Sequence, residues 1–123
     1  MDAIGCKRWA IAEGYIPSQS VSTDRALVSH ETACILNAGD RDANITLTVF
    51  YADRDPVVYR VVVKAQRTLH LRFNDLEDPA PVPLDTDFSS VFESDMPIVV
   101  QHTRLDSRRA EIALLSTTAY AEC

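Results

Sequence analysis

The sequence predicts an all-β protein, a two-sheet β-sandwich of jelly-roll or immunoglobulin-like kind with at most one short helical turn. Three observations lead there. Short apolar runs alternate with polar residues at the two-residue period of a strand, turn residues separate these runs at roughly regular spacing, and no stretch keeps helical spacing long enough for a convincing helix. With 123 residues, one domain spanning 1–123 is expected.

The first element is Trp9-Ala10-Ile11-Ala12-Glu13-Gly14-Tyr15-Ile16-Pro17, a short apolar strand. It stops at Gly14 and Pro17, through backbone freedom and a missing N–H. The Ser- and Thr-rich stretch from Ser18 to Arg25 reads as a surface loop. Val28 to Asn37 is apolar on both faces toward its end and suits an interior strand. The following Asn37-Ala38-Gly39-Asp40-Arg41-Asp42-Ala43 is turn chemistry.

The clearest strand comes next, because Ile45, Leu47, Val49 and Tyr51 alternate with Asn44, Thr46, Thr48 and Phe50. Asp53 to Pro56 turns the chain into Val57–Lys64, which also alternates. Thr68 to Asn74 then points Leu69, Leu71 and Phe73 one way and His70, Arg72 and Asn74 the other. From Asn74 to Asp87, Pro79, Pro81 and Pro83 remove ladder donors and enforce a long structured loop, with a helical turn at Asp75–Asp78 capped by Asn74.

Phe88 to Ser94 is read as a short strand, although the spacing of Phe88, Val91 and Phe92 also fits a short helix. Asp95-Met96-Pro97 is expected to turn the chain into a buried strand ending at Asp106. Residues Asp106 to Glu111 close a hairpin onto Ile112–Tyr120, which is apolar on both faces and is predicted to be a central strand.

Charge narrows the function. Twelve basic against eighteen acidic side chains give a net charge of −6 and a pI near 4.9, which argues against a broad non-specific phosphate-binding surface. No apolar run approaches the ~20 residues of a membrane-spanning helix. The first residues lack the basic-then-apolar pattern of a signal peptide, so a cytoplasmic protein without membrane insertion is expected. Cys6, Cys34 and Cys123 have no CxxC spacing and are expected to be reduced thiols, Cys34 as a small core residue.

Chemistry concentrates at the end of one strand. Ile98 and Val100 share a face with His102 and Arg104, so the strand carries His102, Arg104 and Asp106 from the core to a rim. Arg72 and Arg104 have the fork geometry to grip a carboxylate or phosphate; the ordinary alternative pairs Arg104 with Asp106 and Arg72 with Asp75. His30, His70 and His102 lie on three strands without an HxH or HExxH pair, and no metal or cofactor is expected. The acids Asp75, Glu77, Asp78, Asp85 and Asp87 are irregularly spaced, no nucleophile has an adjacent base, and no enzyme is expected. For nucleic acid the local candidate is Arg104, Arg108 and Arg109, opposed by the net charge and by the lack of an aromatic stripe or a helix-turn-helix pattern.

Six longer stretches are more specific. Trp9 to Pro17, Ser29 to Asp40, Arg72-Phe73-Asn74-Asp75-Leu76, Asp78-Pro79-Ala80-Pro81, Asp85-Thr86-Asp87-Phe88 and Pro97 to Arg108 together resemble the sensory rhodopsin transducer family from Trp9 to Tyr120. The loop from Ser18 to Leu27 and the turn from Asp53 to Val58 depart most from its pattern. The resemblance implies a small soluble cytoplasmic β-sandwich that assembles as a homotetramer and binds the cytoplasmic face of a microbial sensory rhodopsin. It also implies an output linked to DNA binding and a fold like that of sugar-binding modules. The residues expected to form a ligand or partner surface are His30, Glu31, His70, Arg72, Asn74, Asp75, His102, Arg104, Asp106 and Arg108, with Trp9 and Tyr15 as packing or subunit-contact residues. The alternative is a small-molecule or carbohydrate-binding regulator with no photoreceptor.

Overall fold

A computed structural model describes residues 1–123. Its elements are β1 (Cys6–Gly14), β2 (His30–Asn37), β3 (Ala43–Tyr51), β4 (Val57–Val63), β5 (Arg67–Arg72), a 3-10 turn (Phe73–Asp75), β6 (Phe88–Asp106), β7 (Ala113–Thr118) and β8 (Tyr120–Glu122). All pairings are antiparallel. The all-β expectation with one short helical turn holds. No helix is long and apolar enough to cross a membrane.

The 19-residue β6 is the spine. Its first half, from Phe88 to Ser94, lies between β3 and β1, in a sheet ordered β4-β3-β6-β1-β8. Its second half, from Val99 to Asp106, lies between β2 and β7, with β5 outside β2. The turn expected at Asp95–Pro97 is therefore absent. Pro97 instead marks where β6 changes partners: pairing with β3 ends at Ser94 and pairing with β2 begins at Val99, so its missing N–H falls where β6 is between those two ladders. Asp95 fixes the crossing by accepting hydrogen bonds from the Asn44 backbone N–H at 2.8 Å and side-chain amide at 2.9 Å.

Eighteen buried side chains form the core between the two halves. Ala43, Ile45, Leu47 and Val49 supply it from β3, as their alternation predicts. Phe73 stacks against Phe88 and Phe92 with ring centroids 5.3 and 6.5 Å away. Trp9 is a packing residue: its indole N–H is shared between the Cys6 carbonyl at 2.9 Å and the Ile98 carbonyl at 3.0 Å, joining β1 to the middle of β6.

Three further expectations are corrected. The helical turn is Phe73–Asp75, so Asn74 lies within it and bonds elsewhere. The segment after the last hairpin is not a central strand, since all six residues of β7 are exposed at a sheet edge and the chain then breaks into the separate β8. Apolar residues on both faces signal burial only when another layer covers them, and nothing in one chain covers β7. Finally, two cysteines expected to be separate thiols meet. β8 runs beside β1, and Cys6 and Cys123 are joined as a disulfide with Cα atoms 5.0 Å apart, while Cys34 is free.

Candidate functional site

Among the expected site residues, Glu31 has the most constrained surroundings. It lies on β2 directly opposite Arg104 on β6, and His102 is two residues back along the same face, so one glutamate meets both side chains. Its side chain has no exposed surface. One carboxylate oxygen accepts from His102 Nε2 at 2.9 Å and Arg104 Nε at 3.1 Å; the other accepts from Arg104 Nη2 at 2.9 Å and the Tyr15 backbone N–H at 2.8 Å. The ionised carboxylate only accepts, so His102 carries its proton on Nε2 toward Glu31. Arg104 Nη2 also reaches Glu13 at 3.0 Å.

Burial pushes the Glu31 carboxyl up, but the hydrogen bonds from His102, Arg104 and the Tyr15 backbone together outweigh it and hold the group below the usual carboxylate range. The Glu31 hydrogen bond raises the Arg104 guanidinium in turn. Both groups stay charged, and Glu31 and Glu13 share the single Arg104 guanidinium. The site is a hydrogen-bonded polar knot set into an apolar strand, with two carboxylates on one guanidinium.

Beyond it lies a cleft of about 230 Å³, lined by β1 from Ala10 to Glu13 and by His102, Thr117, Thr118, Ala119 and Tyr120. Thr117 is the direct cross-strand partner of His102, so both side chains share this face. Two hydroxyls, an imidazole, a carboxylate and a phenol ring surround the opening.

A second group forms at the rim of β5. Asp75 is bound in bidentate fashion by Arg25, at 2.6 and 3.2 Å, and Arg72 Nη2 donates to the Arg25 carbonyl at 2.7 Å. The hydrogen bonds from Arg25 hold the Asp75 carboxyl below its usual range. His30 donates from Nδ1 to the Val28 carbonyl at 2.6 Å. Asn74 connects this rim to the buried knot, accepting from the Glu31 N–H at 3.3 Å and donating to the Ser29 carbonyl at 3.1 Å. A third pair is Asp106 with Arg108, closed at 2.6 Å, with the guanidinium 5.9 Å from the Tyr15 ring centroid.

The ordinary pairings expected from neighbouring positions are thus not the ones formed. Arg104 binds Glu31 and Glu13 rather than Asp106, and Asp75 is bound by Arg25 rather than Arg72. His70 sits apart, exposed on β5 opposite Cys34. No three His, Cys, Asp or Glu side chains are grouped to hold a metal ion. Sequence reasoning missed Glu13, Arg25 and the buried Ser29–Ser107 pair, whose hydroxyl oxygens are 3.2 Å apart. Glu13 offered one signal, a charged residue closing an apolar strand.

Comparison with known proteins agrees with this architecture. The family model described as Anabaena sensory rhodopsin transducer matches residues 4–121. The solved structure of the Anabaena sensory rhodopsin transducer is 61% identical, with a TM-score of 0.77, covering 89% of this chain and 96% of that one. The crystal structure of Thermotoga maritima 1070 is 36% identical, with a TM-score of 0.85 and 96% of each chain covered. No curated protein matches.

Proposed function

Because the chain belongs to the Anabaena sensory rhodopsin transducer family, we propose that it is a soluble, non-enzymatic signalling module that relays the state of a microbial sensory rhodopsin to a cytoplasmic output. It acts as one folded unit over residues 1–123. The photoreceptor is engaged from its cytoplasmic face. The observation that carries this reading is the family match over nearly the whole chain, at 61% identity to a structure named as such a transducer.

The module works as a homo-oligomer, a tetramer, and the feature supporting this is β7. Leu114 and Leu115 are 69% and 50% exposed on a strand whose outer edge has no partner, and Ile112, just before it, is 40% exposed. An apolar edge strand left open invites pairing with another chain, and a second copy is the occupant the resemblance implies. The nucleic-acid reading has less support, because Arg104 and Arg108 are neutralised by Glu31, Glu13 and Asp106.

Titration calorimetry against a detergent-solubilised sensory rhodopsin from the same genome, dark and illuminated, tests the proposal. Binding that changes with light is the expected result; no binding in either state overturns it. The second reading, a regulator that binds a hydroxylated small molecule, is favoured by the His102–Thr117–Glu13 cleft. It predicts that a sugar or polyol raises Tm in wild type and not in Thr117→Val.

A further inference from the structure

We propose that Cys6 and Cys123 form a reversible redox clasp that decides whether β8 stays on the sheet. β8 is three residues long and pairs only with β1, through Arg8↔Glu122, Trp9↔Ala121 and Ala10↔Tyr120. Besides the packing of the small Ala121 side chain, its other tie is the Arg8–Glu122 ion pair at 3.1 Å, more than half exposed on both sides and therefore weak. Noncovalent contacts hold such a strand poorly. The two cysteines close one end of this pairing, one at the start of β1 and one directly after β8, with Cα atoms 5.0 Å apart, inside the range a disulfide spans.

Access fits a bond that is made and unmade. Cys123 is exposed and Cys6 half-buried, so an incoming disulfide reaches Cys123 first. Its thiolate attacks a low-molecular-weight disulfide of the glutathione type and expels one thiolate. Cys6 then attacks the Cys123 sulfur of the mixed disulfide and expels the second. Two protein thiols are oxidised, one small disulfide is reduced to two thiols, and the two thiol protons leave with them. The free Cys34 lies on β2, with its sulfur near the Thr103 hydroxyl at 3.9 Å, and takes no part.

Release of β8 reaches beyond the clasp. Tyr120 forms part of the wall of the cleft that contains His102, and Ala121 lies against Trp9, which is only 5% exposed. Reduction therefore opens the cleft and wets Trp9, whose indole donates to the Cys6 carbonyl. The chain's single tryptophan becomes a reporter of its redox state.

The full chain, poised in mixtures of reduced and oxidised glutathione, tests this by non-reducing peptide mapping, hydrogen exchange and tryptophan fluorescence. An intramolecular Cys6–Cys123 link is expected. Exchange of the Tyr120–Glu122 amides should slow by roughly tenfold or more on oxidation, with a shift in Trp9 emission. Cys123→Ser should stay at the reduced level in both poises, and Cys34→Ser should respond like wild type. A link formed only between copies, no link at oxidising poise, or equal β8 exchange in both states would overturn the clasp.

Discussion

Glu31 and Arg104 are direct cross-strand partners on β2 and β6, joined by hydrogen bonds of 3.1 and 2.9 Å to both oxygens of a carboxylate with no exposed surface. Removing one member of a buried pair leaves the other desolvated and unpaired, which costs far more than the pair itself contributes. Arg104→Ala should destabilise the fold by about 3–5 kcal/mol, read from urea unfolding. A loss under about 1 kcal/mol would show that water or Glu31 protonation replaces the guanidinium easily.

Acid should act through the same carboxylate. The folded-state value of Glu31 is depressed, so the folded chain binds fewer protons there than the unfolded chain does. The stabilisation is complete above the unfolded value of about 4.3 and is lost as pH falls through the folded value. Glu31→Gln removes this dependence, so its unfolding free energy should fall less steeply than that of wild type below pH about 4. Asp75 and Asp106 are depressed by their own arginines and contribute with the same sign in both proteins. Parallel pH curves would contradict the assignment.

Exposed ion pairs should matter little by comparison. Arg25–Asp75 and Arg108–Asp106 both close at 2.6 Å, but the arginines are half-exposed or more. Arg25→Ala and Arg108→Ala are each expected to leave the denaturation midpoint close to that of wild type, and chemical denaturation would check both.

Packing at the end of β1 is a separate test. Gly14 pairs with Phe88, and a Cβ at Gly14 would lie 2.5 Å from the Phe88 ring. That ring is held by Phe73 at 5.3 Å and has little room to retreat. Gly14→Ala should destabilise by roughly 1–3 kcal/mol through overpacking, seen as a lower midpoint with an unchanged denaturant slope.

The uncovered strand predicts assembly. Leu114→Asp combined with Leu115→Asp places two charges on β7, whose side chains are all exposed in one chain. Folding of the protomer should survive, while light scattering after size-exclusion chromatography should report a smaller species than wild type. An unchanged mass would show that the copies meet elsewhere.

Several features of the site were legible in advance. Alternation along β6 placed Ile98, Val100, His102 and Arg104 on one face, and three of them are almost wholly buried with Arg104 at the rim. The partners were not legible. Arg104 looked toward the nearby Asp106, yet its acid is Glu31, 73 positions away. A charge run shows which groups need partners, while strand register decides which partners arrive.

The sequence by itself determined the strand periodicity and the family, because these rest on local backbone preference and on long words of residues read in order. Only the tertiary structure decided that β6 runs unbroken through both halves, that β7 is left uncovered, and that Cys6 meets Cys123 across 117 positions. Alternation records which way a side chain points, but not which strand lies beside it. That choice is made when the core closes, and the buried Glu31 network and the exposed β7 edge follow from it.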